Sequence, residues 1–198
     1  PAQLARRSSR YHVSSVIANR RAADILEEIA ELHESKTVLV AYHANDPNVG
    51  MSSNVNLEKF KLYLADTGLF VTLSFKDADM TENVVYEKLL ADRLPANLGA
   101  VYENVVAQEL AAHGHRLFYH TWPKEGANRN YEIDFLVPDG KKICPVEVKS
   151  SKYSTHPSLD AFSQKYPSRV GSQYLVYTKD MRSDGAITCV PTYMSCFL

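Results

Sequence analysis

Apolar residues recur at helical spacing in two parts of the chain, and each part predicts an amphipathic helix. In residues 22–34 the apolar positions are Ala22, Ile25, Leu26, Ile29 and Leu32, and acidic residues occupy the solvated face. Residues 97–114 form the second predicted helix, with an apolar stripe of Leu98, Val101, Tyr102, Val105, Val106 and Leu110. Gly114 stands where glycine is favoured after the end of a helix.

Short apolar runs predict strands at 37–42, 115–122, 172–179 and 185–191. Residues 59–73 predict a strand that runs into a short apolar helix, with Asp66 or Thr67 as its N-cap. Another helix is predicted at 159–166, with Ser158 as its N-cap. From Pro95 onward the predicted order is α-β-β-β-α-β-β, which is typical of an α/β domain with a mixed central sheet flanked by helices.

The segment 130–152 alternates acidic and apolar residues on both sides of the turn sequence "PDGK" at 138–141. We predict a hairpin with a four-residue loop, in which Val137 pairs with Lys142. Alternation places one set of side chains on an apolar face: Ile133, Phe135, Val137, Cys144, Val146 and Val148. The other face carries Glu132, Asp134, Glu147 and Lys149. Like charges on adjacent strands are destabilising, so these carboxylates need compensation, by a divalent cation or, more weakly, by Lys149.

Oxygen ligands of this kind suit Mg²⁺, which prefers one or two carboxylates together with water and phosphate oxygens. Asp134 and Glu147 supply the carboxylates, and the carbonyl of Val148 is expected to point between them. A metal ion held there would activate water for attack on a phosphodiester. Lys149 would orient that water or stabilise the developing oxyanion. Glu103, on the preceding helix, is the candidate for a further carboxylate.

The order of these residues resembles the motif of the PD-(D/E)XK nuclease superfamily: an acidic residue on a helix, an Asp, then Glu-X-Lys on a strand. In this chain the set is Glu103, Asp134 and Glu147-Val148-Lys149. The resemblance implies a restriction-endonuclease-like α-β-β-β-α-β core. It also implies a site that uses Mg²⁺ or Mn²⁺, bound by Asp134 and Glu147, to act on DNA, with Lys149 assisting the water.

Four stretches together resemble the C-terminal domain of unknown function attached to AAA-type ATPases of bacteria and archaea: "FKLYLADTGL" (60–69), "GAVYENVVAQEL" (99–110), "YEIDFLV" (131–137) and "PVEVKSS" (145–151). The resemblance implies an ATPase and a winged-helix-like segment ahead of the nuclease-like domain. No GxxxxGK[ST] motif occurs here, so ATP would bind only in a part that this chain lacks, and we expect the chain to be a fragment.

The domain prediction follows from that resemblance. It assigns residues 1–75 to a winged-helix-like tail with a linking strand and helix, 76–95 to a linker, and 96–198 to the nuclease-like domain.

Composition narrows the partners and the compartment. The three cysteines form no CxxC pair, which favours a reducing cytoplasmic compartment over disulfides or a thiolate zinc site. No apolar run is long enough to span a membrane. The net charge of −1 shows no global basic field for nucleic acid. It leaves open a non-catalytic alternative, a DNA-binding, protein-interaction or oligomerisation module that regulates the attached ATPase.

Overall fold

The computed structural model describes residues 22–75, 87, 98–150 and 153–198. Four helices are described: α1 (Ala22–Glu34), α2 (Thr67–Phe75), α3 (Leu98–Ala112) and α4 (Pro157–Lys165). The strands are β1 (Val38–Ala44), β2 (Val55–Leu64), β3 (Phe118–Pro123), β4 (Asn130–Ile133), β5 (Phe135–Asp139), β6 (Lys142–Val148), β7 (Gln173–Tyr177), β8 (Arg182–Asp184) and β9 (Ile187–Pro191). Short 3₁₀ turns lie at Met51–Ser53 and Thr192–Phe197.

The strands form two mixed sheets, in the orders β2-β1-β3-β4 and β5-β6-β7-β9-β8. In the first sheet β1 pairs in parallel with β3, and in the second β7 pairs in parallel with both β6 and β9. The predicted α/β class with mixed β-structure and flanking helices is confirmed, although the strands divide between two sheets. No helix in the described part is long and apolar enough to cross a membrane.

The predicted domain division stays a prediction. Strands β1 and β2 precede the predicted linker, yet they share a sheet with β3 and β4, which follow it. Residues 1–21 of the region predicted to be a winged-helix-like tail lie outside the described residues, as does the predicted linker apart from Glu87.

The chain passes from the first sheet to the second at Asp134. Strand β4 pairs with β3 and ends at Ile133, whereas β5 begins at Phe135 and pairs with β6. Ile133 therefore packs in the core beneath α4, while Phe135 packs in the core beneath α3. Our assignment of Ile133 and Phe135 to one face was wrong, because alternation holds only within a continuous strand.

The predicted register of the hairpin was also wrong. Val137 pairs with Cys144, not with Lys142, and the strands continue to a pair between Asp139 and Lys142. The turn is therefore two residues long, and its first residue, Gly140, has φ +57°, the sign required at that position of a type II′ turn. Pro138 lies within β5, where its missing N–H is tolerated because β5 is an edge strand.

Two core clusters support the sheets from different helices. Helix α3 contributes Val106, Ala107 and Leu110, which pack with residues of both sheets. Helix α4 contributes Leu159 and Phe162, which pack in a separate cluster. The polar residues of the candidate site lie on α3, on the strands that the two helices cover, and at the Asp134 bend.

The helix ends agree only in part with the sequence. Gly114 has φ +87°, as expected after the end of α3. Of the two candidates for the N-cap of α2, Asp66 makes the capping contact. The predicted cap Ser158 was wrong: α4 begins one residue earlier at Pro157, which suits the first helical position, and His156 precedes it.

We predict that Asp66→Ala lowers the free energy of unfolding by about 1 kcal/mol. The Leu69 amide donates to Asp66 Oδ1 over 2.7 Å, and alanine would leave this helical N–H without its acceptor. Urea denaturation followed by circular dichroism measures the change. Asp66→Asn keeps a capping oxygen and should stay close to the wild type. Equal losses in both variants would contradict the capping role.

Candidate active site

Lys61 is a buried cation at the centre of three carboxylates. It lies in β2 and is 0% exposed. Its Nζ is 2.5 Å from Oε1 of Glu103, 2.7 Å from Oε1 of Glu132 and 3.6 Å from Oδ1 of Asp134. The ammonium also lies 5.3 Å from the ring centroid of Tyr119. Lys61 therefore joins β2, α3, β4 and the Asp134 bend through one charged group.

Tyr63 completes this group, which we name the Lys61 cluster: Lys61, Tyr63, Glu103, Glu132 and Asp134. The Tyr63 hydroxyl donates to the same Oε1 of Glu103 over 2.5 Å. Burial, reinforced by the negative charge of Glu103, raises the pKa of Tyr63 well above its ordinary value. Tyr63 is therefore a neutral hydrogen-bond donor at physiological pH.

The charges of Lys61 and Asp134 depend on each other. Burial alone would lower the pKa of Lys61, but the carboxylates, led by Glu103, raise it well above its ordinary value. Burial and the charge of Glu103 raise the pKa of Asp134 well above its ordinary value, while Lys61 opposes that rise. With one ammonium among three carboxylates, the cluster favours either an added cation or a proton on Asp134.

Glu147 and Lys149 form a second polar group on β6. Glu147 is buried, with 5% exposure, and its Oε1 lies 2.7 Å from the ammonium of Lys149. Burial raises the pKa of Glu147, and Lys149 opposes that rise. Within the described structure, Glu147 Oε2 is a buried oxygen with no hydrogen-bond partner. The backbone of Leu159, at the start of α4, is close enough to the Glu147 carboxylate to lower its pKa in part.

The two groups meet through Val148. Its amide donates to Asp134 Oδ2 over 2.8 Å. In a strand the N–H and C=O of one residue point to the same edge, so the Val148 carbonyl also faces the side of Asp134. Continuing the register of Phe135 with Val146 by one pair places Asp134 opposite Glu147. The backbone thus brings Asp134, Glu147 and Val148 to one end of the β5–β6 pair.

The side chains divide the predicted site between the two groups. Asp134 and Glu103 meet at Lys61, whereas Glu147 meets Lys149. Across the ranges that the structure describes, no three His, Cys, Asp or Glu side chains stand at metal-ligand spacing. The donors fit Mg²⁺ in kind, since two carboxylates and a carbonyl are hard oxygen ligands. The buried, unbonded Oε2 of Glu147 also fits a cation ligand.

Sequence reasoning missed Lys61 and Tyr63. The stretch "KFKLYL" (59–64) carries the signal, because alternation places Lys61 and Tyr63 on the face opposite Phe60. Phe60 packs with Val40 in a small cluster beside α1. Lysine alternating with apolar residues is also the pattern of a half-solvated strand, so the signal for burial is Tyr63, an aromatic residue on the same face as Lys61.

Comparison with known proteins adds one similarity. No match was found among curated proteins or among solved structures. Residues 98–194, just under half of the chain, match a family described as a domain of unknown function, DUF4143. This matched range includes Glu103, Asp134, Glu147 and Lys149, and it begins after Lys61.

Proposed function

We propose that this chain is a nuclease-like domain that hydrolyses phosphodiester bonds of DNA with Mg²⁺ or Mn²⁺. The single observation that carries the proposal is the buried Oε2 of Glu147, which has no hydrogen bond within the described structure although Lys149 is held at the same carboxylate. Asp134 and the Val148 carbonyl lie at the adjoining strand position. These oxygens would hold the cation.

Each residue then has a distinct task. When bound, the cation would supply an activated water and neutralise charge on the phosphate. Lys149, whose side chain is 26% exposed, can reach a phosphate oxygen or the attacking water while Glu147 fixes its position. Contact with the ammonium of Lys61 would restrict rotation of the Asp134 side chain and so preserve its orientation, and the same ammonium holds Glu103.

We further propose that the domain is attached in the cytoplasm to an AAA-type ATPase that binds ATP. The resemblance of residues 60–69, 99–110, 131–137 and 145–151 to such proteins supports this attachment. The ATPase would load or remodel the DNA on which Asp134, Glu147 and Lys149 act.

A non-catalytic role is the second candidate, and a specific observation favours it. Lys61 already engages both Glu103 and Asp134, and no metal-spaced trio of side chains is present among the residues described. With a proton on Asp134, whose pKa is raised by burial and by Glu103, the Lys61 cluster would need no metal for stability. The domain would then bind DNA or protein and regulate the attached ATPase.

DNA cleavage by the purified chain distinguishes these candidates. Supercoiled, linear and branched DNA would be incubated with Mg²⁺ or Mn²⁺, and metal binding would be measured separately by calorimetry. We expect cleavage in the wild type, and rates lower by about 100-fold in Glu147→Gln and in Lys149→Met. Lys179→Met, at an exposed lysine after β7, should retain the wild-type rate.

Two results would overturn the nuclease proposal. One is cleavage that both site variants retain at the wild-type rate, because the activity would then come from elsewhere. The other is absence of both cleavage and binding of Mg²⁺ or Mn²⁺ by the wild type. That second result would leave the non-catalytic module as the function of this chain.

A further inference from the structure

Four aromatic rings stack in a row across β1, β3 and β4. The ring of His43 lies 5.5 Å from that of His120, His120 lies 5.3 Å from Trp122, and Trp122 lies 5.2 Å from Tyr131. Their interplanar angles are 29°, 19° and 29°. These distances and angles are those of offset stacking. We name these four residues the aromatic column.

The column runs from the interior to the surface. His43, His120 and Trp122 are buried, whereas Tyr131 is half-buried. The hydroxyl of Tyr166 and Nε2 of His120 are joined at 3.2 Å, and His120 Nδ1 lies 2.7 Å from the carbonyl of Ala44. The inner rings are therefore fixed by polar contacts, and they hold Tyr131 as a rigid outer end.

Cations surround the outer end of the column. The ammonium of Lys124 lies 5.1 Å from the Tyr131 ring centroid, and that of Lys165 lies 5.6 Å from the Trp122 ring centroid. Arg129, exposed, immediately precedes β4. Glu125 is the neighbouring acid in the β3–β4 loop. Positive side chains interleaved with aromatic rings are the combination that binds unpaired bases and phosphates.

Helix α4 connects this surface to the proposed catalytic residues. Its first turn lies beside Glu147, and its last residue is Lys165 at the column. Nine helical residues span roughly 13 Å. On the other side, Tyr131 and Asp134 are three residues apart along nearly extended chain, roughly 10 Å. A nucleic-acid strand on the column would thus pass within a few nucleotides of Glu147.

We propose that the outer end of the aromatic column, Tyr131 backed by the buried ring of Trp122 and flanked by Lys124 and Lys165, binds single-stranded nucleic acid by base stacking. Duplex is disfavoured, because its base faces are covered by neighbouring bases, whereas stacking platforms need unpaired ones. The proposal rests on the proposed function for its link to cleavage. It specifies the substrate of that reaction as a single-stranded region, and binding itself requires no metal.

Trp122 makes this binding directly measurable, since it is the only tryptophan of the chain. The whole chain in EDTA would be titrated with a single-stranded oligothymidine and with a duplex of equal length, while Trp122 fluorescence is recorded. We expect saturable quenching by the single strand, weaker binding of the duplex, and affinity that falls as salt rises. Tyr131→Ala should weaken binding by about tenfold or more, whereas Tyr131→Phe should retain it.

Two matched control variants and two further variants, Lys165→Ala and Asp134→Ala, complete the test. Tyr193→Ala removes a tyrosine that is 76% exposed elsewhere, and Lys141→Ala removes an exposed lysine in the β5–β6 turn; both should bind like the wild type. Lys165→Ala should reduce the salt dependence. Asp134→Ala should bind normally even if cleavage fails, which separates this proposal from the nuclease. Unquenched Trp122, equal affinity for duplex, or equal losses in Tyr131→Ala and Tyr193→Ala would overturn it.

Discussion

Replacement of Lys61 by methionine is expected to lower the free energy of unfolding by about 3–5 kcal/mol near pH 7. Methionine fills a similar volume but carries no charge. The three carboxylates around it are 15%, 23% and 17% exposed, so solvent screens their repulsion only weakly. Tyr63 would also lose the cation that opposes the rise in its pKa. Urea denaturation, followed by circular dichroism, measures the loss.

Lys59→Met is the matched control for this prediction. Lys59 lies two residues earlier in the same strand and is exposed, so its replacement should change the free energy of unfolding by less than about 0.5 kcal/mol. Glu103→Gln combined with Lys61→Met should recover part of the loss, because one of the unpaired carboxylates is removed. Equal stabilities of Lys61→Met and Lys59→Met would show that the Lys61 cluster does not stabilise the fold.

The deficit of Lys61→Met should also shrink as the pH falls. Without Lys61, the folded state raises the pKa of Asp134 further, since burial and Glu103 act without opposition. A carboxyl whose pKa is higher in the folded than in the unfolded state makes folding more favourable as it takes up a proton. The stability of the variant relative to the wild type should therefore rise from pH 7 toward pH 5.

The elements that could be predicted from sequence are those whose signals are local. Helix α3, fifteen residues long, was predicted from the apolar stripe between Leu98 and Leu110 and from Gly114 after its end. The alternating pattern of residues 131–149 likewise identified strands. It placed Glu147 and Lys149 two residues apart on the same face of one strand. Their ion pair needs no distant partner, because alternate residues of one strand lie on the same face.

The register of β5 and β6 required information that lies outside the hairpin. Pro138 and Asp139 are turn-forming residues, which favoured a four-residue loop. Whether a proline can remain in a strand depends on whether that strand is at the edge of its sheet. Strand β5 is at the edge because β6 pairs with β7 on its other side, and that pairing is not encoded in the hairpin.

Lys61 could not be placed by sequence for a related reason. Its partners lie on α3, on β4 and at the Asp134 bend, and the nearest of them is 42 residues away. We predicted that the acidic residues of β4–β6 require compensating charge, and named a divalent cation or Lys149. The structure supplies Lys61 for Glu132 and Asp134. These long-range contacts meet part of the electrostatic requirement, and no sequence motif signals them.

Acidification is expected to destabilise the fold through His120. Burial, opposed by the Ala44 carbonyl and reinforced by His43 and Lys165, lowers the pKa of His120 to about 4. An unfolded histidine has a pKa of about 6.5, so between these values the unfolded state binds a proton that the folded state excludes. The contribution of neutral His120 is present above pH about 6.5 and is lost as the pH falls, by about 3 kcal/mol at pH 4.

His120→Gln isolates that contribution, because glutamine cannot titrate. Loss of the ring from the aromatic column will lower stability at every pH. The informative quantity is therefore how the difference in free energy of unfolding between the two proteins changes with pH. Urea denaturation from pH 7.5 to pH 4 should show that the gap between wild type and His120→Gln narrows by about 3 kcal/mol. His113→Gln, at the exposed end of α3, controls for the removal of a histidine as such. A gap independent of pH would mean that His120 takes up its proton in the folded state as readily as in the unfolded chain, and that its burial does not exclude charge.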